Sequence, residues 1–240
     1  MARPDGRKND QIRQVKLTAG YIPHVAGSVL IQMGSTHVLC NASIENSVPP
    51  HLKGSGSGWV TAEYSLLPCA TQQRTKRERG THLGGRTQEI QRLIGRSLRS
   101  VIDHSAIGEK TIMLDCDVLQ ADGGTRTASI TGAFVAMSMA AAQIKKEQKI
   151  SKRIIQQYLA SISVGVVKDI PCLDLCYEED FNAMVDMNVV MVESGDFVEI
   201  QGSGEESTFT RKETNAMFDL AEKGIKELIN HQREILKDIP

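Results

Sequence analysis

Hydrophobic positions change period several times along the 240-residue chain, and each change marks an element. Val29–Met33 and Thr36–Ala42 are short strand-like runs separated by Gly34-Ser35, which predicts a hairpin. Trp59–Leu67 reads as a further strand, stopped by Pro68. In Thr87–Ile102 the residues Ile90, Leu93, Ile94, Leu98 and Val101 recur at helical spacing, with Arg92, Arg96 and Arg99 largely on the rest of the circumference. Lys110–Leu119 alternates instead. Ile112, Leu114, Cys116 and Val118 point one way and Met113, Asp115 and Asp117 the other, a half-buried strand with two carboxylates on its second face.

Thr125–Lys146 predicts a central helix. Ile130, Phe134, Met137, Ala141 and Ile144 form its apolar stripe, while Ala128, Gly132, Ala133, Ala136 and Ala140 are small enough to admit a closely packed neighbour. Strand patterns then return at Leu159–Lys168, Cys172–Tyr177, Val185–Val192 and Phe197–Gln201, with turn signals at Asp169–Pro171 and Ser194-Gly195. A last helix runs from Arg211 to about Leu236 behind a capping box of Thr210 and Glu213. Strands grouped as hairpins between helices predict an α+β layered fold with mixed, mainly antiparallel sheets. The polar stretch Lys145–Lys152 reads as a helix end rather than a linker, so residues 1–240 are taken as a single domain.

Composition narrows the partners. Hydrophobic residues make up 40% and charged residues 24%, an ordinary soluble profile. Aromatics reach only 4%, which argues against base stacking as the main mode of nucleic-acid binding, and a net charge of -1 means that any such partner needs a local basic patch. Cys69–Gly85 supplies one in Arg74, Lys76, Arg77 and Arg79, although in isolation such a run reads more readily as a solvated loop. Five cysteines without CxxC spacing indicate reduced thiols. No signal-peptide pattern opens the chain and no apolar run looks long enough to span a membrane, so a cytoplasmic location without membrane attachment is expected.

The chemistry begins with an internal echo. Gly84-Gly85-Arg86-Thr87 opens the first long helix and Gly123-Gly124-Thr125-Arg126-Thr127 the second. Glycines let backbone N–H groups approach a ligand, a helix N-terminus favours negative charge, and an Arg fork matches two phosphate oxygens. Two such turns point to a phosphate or phosphodiester ligand. Glu178-Glu179-Asp180 precedes Asp186, and the pair Asp180 and Asp186 suits Mg²⁺, which prefers oxygen ligands. Asp115, Asp117 and Asp122 form a competing acidic group that reads equally as strand-face and turn residues. No GxxxxGK[ST], no GxSxG and no metal-ligand spacing of histidines occurs, which disfavours a Walker-type ATPase, a serine hydrolase and a zinc enzyme.

Gly85–Arg99, Leu114–Ala133 and Val185–Met191, together with Arg3–Arg7 and Ala221–Leu228, resemble the bacterial ribonuclease PH family over essentially the whole chain. The resemblance implies a ribosomal protein S5 domain 2-like fold and a ring homohexamer, a trimer of dimers. It implies phosphorolysis, in which inorganic phosphate attacks the 3′-terminal phosphodiester of tRNA precursors and other RNA and reversibly releases nucleoside diphosphates. On the same ground Arg86, Gly124, Thr125 and Arg126 hold the phosphate, Asp180 and Asp186 hold the catalytic Mg²⁺, and the basic loop grips RNA. One departure is Cys69, where that family usually carries Arg; losing one phosphate contact lowers the salt slope of RNA binding by roughly 0.7–0.9. Two other readings stay open: a non-catalytic RNA-binding subunit of an exosome-like ring, and a phosphate-binding enzyme of small substrates.

Overall fold

A computed structural model describes residues 3–78, 83–204 and 208–239. In chain order the elements are β1 (Val15–Ala19), β2 (Gly27–Met33), β3 (Thr36–Glu45), β4 (Trp59–Leu66), α1 (Gly85–Arg99), α2 (His104–Ile107), β5 (Thr111–Gln120) and α3 (Thr125–Glu147). After them come β6 (Leu159–Val167), β7 (Ile170–Leu173), α4 (Tyr177–Phe181), β8 (Val185–Val192), β9 (Phe197–Gly204) and α5 (Arg211–Leu236).

The strands form two sheets. The first has the order β1-β2-β3-β5-β4 and the second β7-β6-β8-β9. All pairings are antiparallel except β4 with β5, where α1 lies in the connection that two parallel neighbours require. The fold is thus α+β and mainly antiparallel.

Helix α3 lies between the sheets, packing on β2, β3 and β5 of one and β6 of the other. Its side chains explain the placement, because a helix apolar nearly all round is stable only when buried nearly all round. Ile130, Phe134, Met137 and Ile144 are fully buried, and so are Ala128, Ala133, Ala136 and Ala140. Gly132 marks the closest approach: a methyl group there would stand 2.7 Å from Ile31 and 2.9 Å from Cys40. On the opposite side the Thr131 hydroxyl donates to the Ser161 carbonyl and accepts from the Ser161 N–H. Gln232 of α5, fully buried, donates to the carbonyls of Thr131 and Leu159 and ties the last helix to both. By length and composition α3 is apolar enough to cross a membrane, contrary to the expectation above, but 78% of that window is buried inside the protein.

Three local differences from the sequence pattern matter. β1 is an edge strand that the hydrophobic pattern did not mark. The strand expected over Cys172–Tyr177 ends at Leu173, because Asp174 adopts φ +55 and leaves the sheet. The acidic run at 178–180 lies in a short helix, α4, that the sequence pattern did not mark. Cys40, Cys116, Cys172 and Cys176 are buried free thiols and Cys69 is exposed.

Candidate active site

The turn between β5 and α3 builds the floor of the site. Gly123 has φ +71 and Gly124 has φ +63, the left-handed region that glycine enters without cost. A side chain on Gly123 would also strike the backbone of Leu175, Cys176 and Tyr177 at 2.5–2.9 Å. Gly124 caps α3 with no side-chain partner for the first helical N–H groups, which leaves those donors and the positive helix end facing the cavity above them. Thr125 is buried, and its hydroxyl pairs with Tyr64 Oη at 2.8 Å. Burial pushes the Tyr64 phenol up in pKa, although the bond to Thr125 and the charges of Arg86 and Arg126 work the other way.

That cavity, about 260 Å³, is lined by Arg86, Gly123, Gly124, Thr125, Arg126, Asp180, Asp186 and Asn188 among others. It opens into a larger cleft of about 1120 Å³ that shares Arg86, Arg126, Asp180, Asp186 and Asn188. The structure therefore brings together all six residues singled out for phosphate and metal, from α1, the α3 terminus, α4 and β8.

Arg126 is aimed by its neighbours. Its Nη1 donates to Gln201 Oε1 at 3.2 Å and stands 3.7 Å from Glu89. Gln201 in turn donates to Glu199, which pairs with Arg96 of α1. This chain of contacts links α1 to β9 across the cleft.

Helix α4 carries Asp180 and is pinned from the N-terminal segment. Arg3 Nε and Nη2 each donate to the Glu179 carboxylate at 2.6 Å, and both residues are buried. Burial acts against the Glu179 charge, but the Arg3 bonds and the Cys176 N–H outweigh it and hold the carboxyl below its ordinary pKa. Beside them Asp174 accepts from Arg13 through Nε, Nη2 and the backbone N–H at 2.7–3.0 Å. Asp122 completes the anchoring: its carbonyl accepts from Arg13 and its carboxylate from the Tyr177 N–H.

The competing acidic group separates accordingly. Asp122 is a turn residue, while Asp115 and Asp117 lie on the outer face of the first sheet with Glu63, paired across from Asp115. Burial and then like charges raise the Asp115 carboxyl pKa; burial also raises that of Asp117, against the pull of Arg77. Among the described residues no group of three or more His, Cys, Asp or Glu side chains is arranged to hold a metal. In the basic loop Arg74, Lys76 and Arg77 are exposed and do not line the cleft, and Arg79 falls outside the described residues.

Sequence reading missed Tyr64, Ser163, Asn188 and Gln201 as lining residues. Asn188 had a signal: it stands two positions after Asp186 on a strand and so shares its face. Ser163 and Gln201 flank Asn188 in the register, which requires knowing the sheet order.

A glycine-capped helix terminus, two arginines and two carboxylates around one cleft on an α+β scaffold have the chemistry of an enzyme that handles phosphate. The chain matches the 3′ exoribonuclease family, domain 1, over residues 11–143 and domain 2 of the same family over residues 157–224. It belongs to that family. Ribonuclease PH of Bacillus pumilus (strain SAFR-032) is 57% identical over 99% of both chains, and ribonuclease PH of Bacillus subtilis (strain 168) is 57% identical over 98% of this chain and 97% of its own. In fold the chain is similar to the crystal structure of rice Rrp46, with a TM-score of 0.79 at 16% identity over 98% and 100% of the two chains. It is also similar to a chain of the Archaeoglobus fulgidus exosome with RNA bound to the active site, with a TM-score of 0.76 at 20% identity over 95% and 91%.

Proposed function

We propose that this cleft is the reaction centre of a phosphate-dependent 3′→5′ exoribonuclease that trims RNA 3′ ends, tRNA precursors among them. The convergence of Arg86, Arg126, the α3 terminus and two carboxylates in one cavity carries the reading. Inorganic phosphate is seated on the N–H groups of α3 and between the two guanidinium groups. It needs orientation more than activation, because it is already a nucleophile. Tyr64, whose phenol pKa is raised by burial, shares a hydrogen bond with the Thr125 hydroxyl; when the phenol is the donor, the threonine O–H is left to the anion. One phosphate oxygen attacks the phosphorus of the last phosphodiester, the bond to the preceding 3′-oxygen breaks, and a nucleoside diphosphate leaves. Arg86 and Arg126 offset the repulsion between the two phosphates.

Asp180 and Asp186 offer the hard oxygen donors that suit Mg²⁺, and two carboxylates leave the water ligands that this ion retains. When bound there it would neutralise charge on the scissile phosphate. The exposed Arg74, Lys76 and Arg77 extend the RNA track outside the cleft, and by sequence Arg79 adds a further positive charge to the same loop. The chain acts as one catalytic unit in a homohexamer in the cytoplasm; the fold it shares with exosome chains supports ring assembly, and a solution mass near six protomers of 26.3 kDa tests it.

The activity is tested by incubating a 3′-extended tRNA with and without inorganic phosphate and separating the released nucleotides. Shortening that requires phosphate and yields nucleoside diphosphates is expected. Nucleoside monophosphates formed without phosphate would overturn the reading.

A further inference from the structure

Among the described residues five large hydrophobic side chains are exposed, and three of them, Tyr177, Phe181 and Ile200, border the cleft and its inner cavity. Phe181 is the extreme case at 75% exposed, in a chain with only five phenylalanines. It closes α4 one residue after Asp180, so its position relative to the carboxylate is fixed by a helical turn. Tyr177 lies one turn earlier on the same face, with ring centroids 6.1 Å apart and planes tilted by 34°. That spacing is too small to admit a base between the rings, so a base meets the exposed Phe181 ring, which lines the cleft, with Tyr177 as its neighbour. Ile200 of β9, 44% exposed, lines the same cleft.

Single exposed apolar side chains are ordinary, but a group of them at the wall of a polar cleft marks a ligand-binding groove. Here the ring stands beside the carboxylates and arginines that would receive the terminal phosphodiester. A nucleotide whose phosphate enters the inner cavity carries its base outward into the larger cleft, where an aromatic face and an aliphatic side chain stand at the wall. Polar groups that read a base edge are not needed there, because every base has a π-face.

We propose that Phe181 is a stacking platform for the 3′-terminal base of the RNA, with Tyr177 as its neighbour and Ile200 as a further apolar contact. The proposal rests on the reading of the cleft as the site for an RNA 3′ end. It makes Phe181 a positioning residue that sets the register of the last phosphodiester without preference for base identity.

The test compares the parent protein with Phe181→Ala and Phe181→Trp. A short single-stranded RNA and the same RNA with an abasic 3′-terminal nucleotide serve as probes. Binding is read by fluorescence anisotropy without phosphate, so that it does not depend on turnover. Phe181→Ala should weaken binding of the intact RNA by about tenfold, within the range of one lost base–aromatic stack, and Phe181→Trp should restore it. On the abasic RNA the three proteins should bind alike. In phosphorolysis the loss should fall on the KM for RNA rather than on kcat. Equal affinity of parent and Phe181→Ala for intact RNA would overturn the proposal, as would an equal loss on abasic RNA. A change of oligomeric mass in Phe181→Ala would also overturn it, by assigning the ring to a subunit contact. A failure of phosphorolysis itself would appear as phosphate-independent turnover and leave the anisotropy comparison intact.

Discussion

The residues around the glycine turn before α3 divide into those that a local motif reveals and those that only the fold brings in. Gly123, Gly124 and Arg126 stood out because the same glycine pair, Arg and Thr open two helices. Tyr64 was not, since it reaches Thr125 across 61 residues of sequence. Removing its hydroxyl in Tyr64→Phe deletes one neutral hydrogen bond, a loss of about 0.5–1.5 kcal/mol. The KM for phosphate should rise about two- to tenfold while the KM for RNA stays put, as initial rates at varied phosphate will show. Asp180→Asn and Asp186→Asn keep size and shape but remove one negative charge each. Each should lower kcat by roughly tenfold or more and shift the Mg²⁺ titration upward; an unchanged titration in both would take these residues out of the metal site.

At the scale of elements the long periodic segments were readable and the short ones were not. α3 and α5 start where the sequence places them, at Thr125 and Arg211, because caps and periodicity agree. α4 has five residues, too few for a period, and its capping box uses Cys176 in place of the usual Ser or Thr. β1 is a short edge strand whose residues are mostly half-buried, so its alternation is weak. What holds α4 is the Arg3–Glu179 pair, and removing one partner of a buried ion pair costs about 3–5 kcal/mol because the other is left charged. Arg3→Ala should therefore cut stability by about that amount. The remaining folded protein should show reduced kcat through a loosened Asp180. The pH dependence has a definite sign. The Glu179 carboxyl is depressed in the folded chain, so its contribution is present above its ordinary value near 4.5 and is lost as pH falls toward the folded value. Denaturant midpoints for parent and Arg3→Ala should keep their gap down to about pH 4.5 and converge as pH falls below it toward the folded value; a gap that stays constant there would mean that Arg3 acts through packing alone.

At the scale of the whole molecule the two family domains meet between residues 143 and 157, yet no seam separates their cores. α3 belongs to the first by sequence and packs against β6 of the second, and one continuous cluster of buried side chains runs from Val29 to Leu236. The sequence carried a trace of this in the small residues of α3, which have no purpose unless two partners approach. It could not show which strands those were, since sheet order depends on contacts far apart in the chain. The consequence is cooperative unfolding of the 240 residues as one unit. Phe134 is the natural probe, fully buried on α3 with its ring 5.5 Å from that of Tyr158. Phe134→Ala should cost about 3–5 kcal/mol. It should move two reports together: fluorescence of Trp59, the one tryptophan, on β4 of the first sheet, and hydrogen exchange of the β6 and β8 amides in the second. Matching shifts at equal protein concentration mean that α3 couples the halves. If Trp59 lost its native signal at lower denaturant while the β6 and β8 amides kept full protection, the second sheet would be standing on α5 alone, and the cleft would be a joint between two separately stable bodies rather than a site built into a single core.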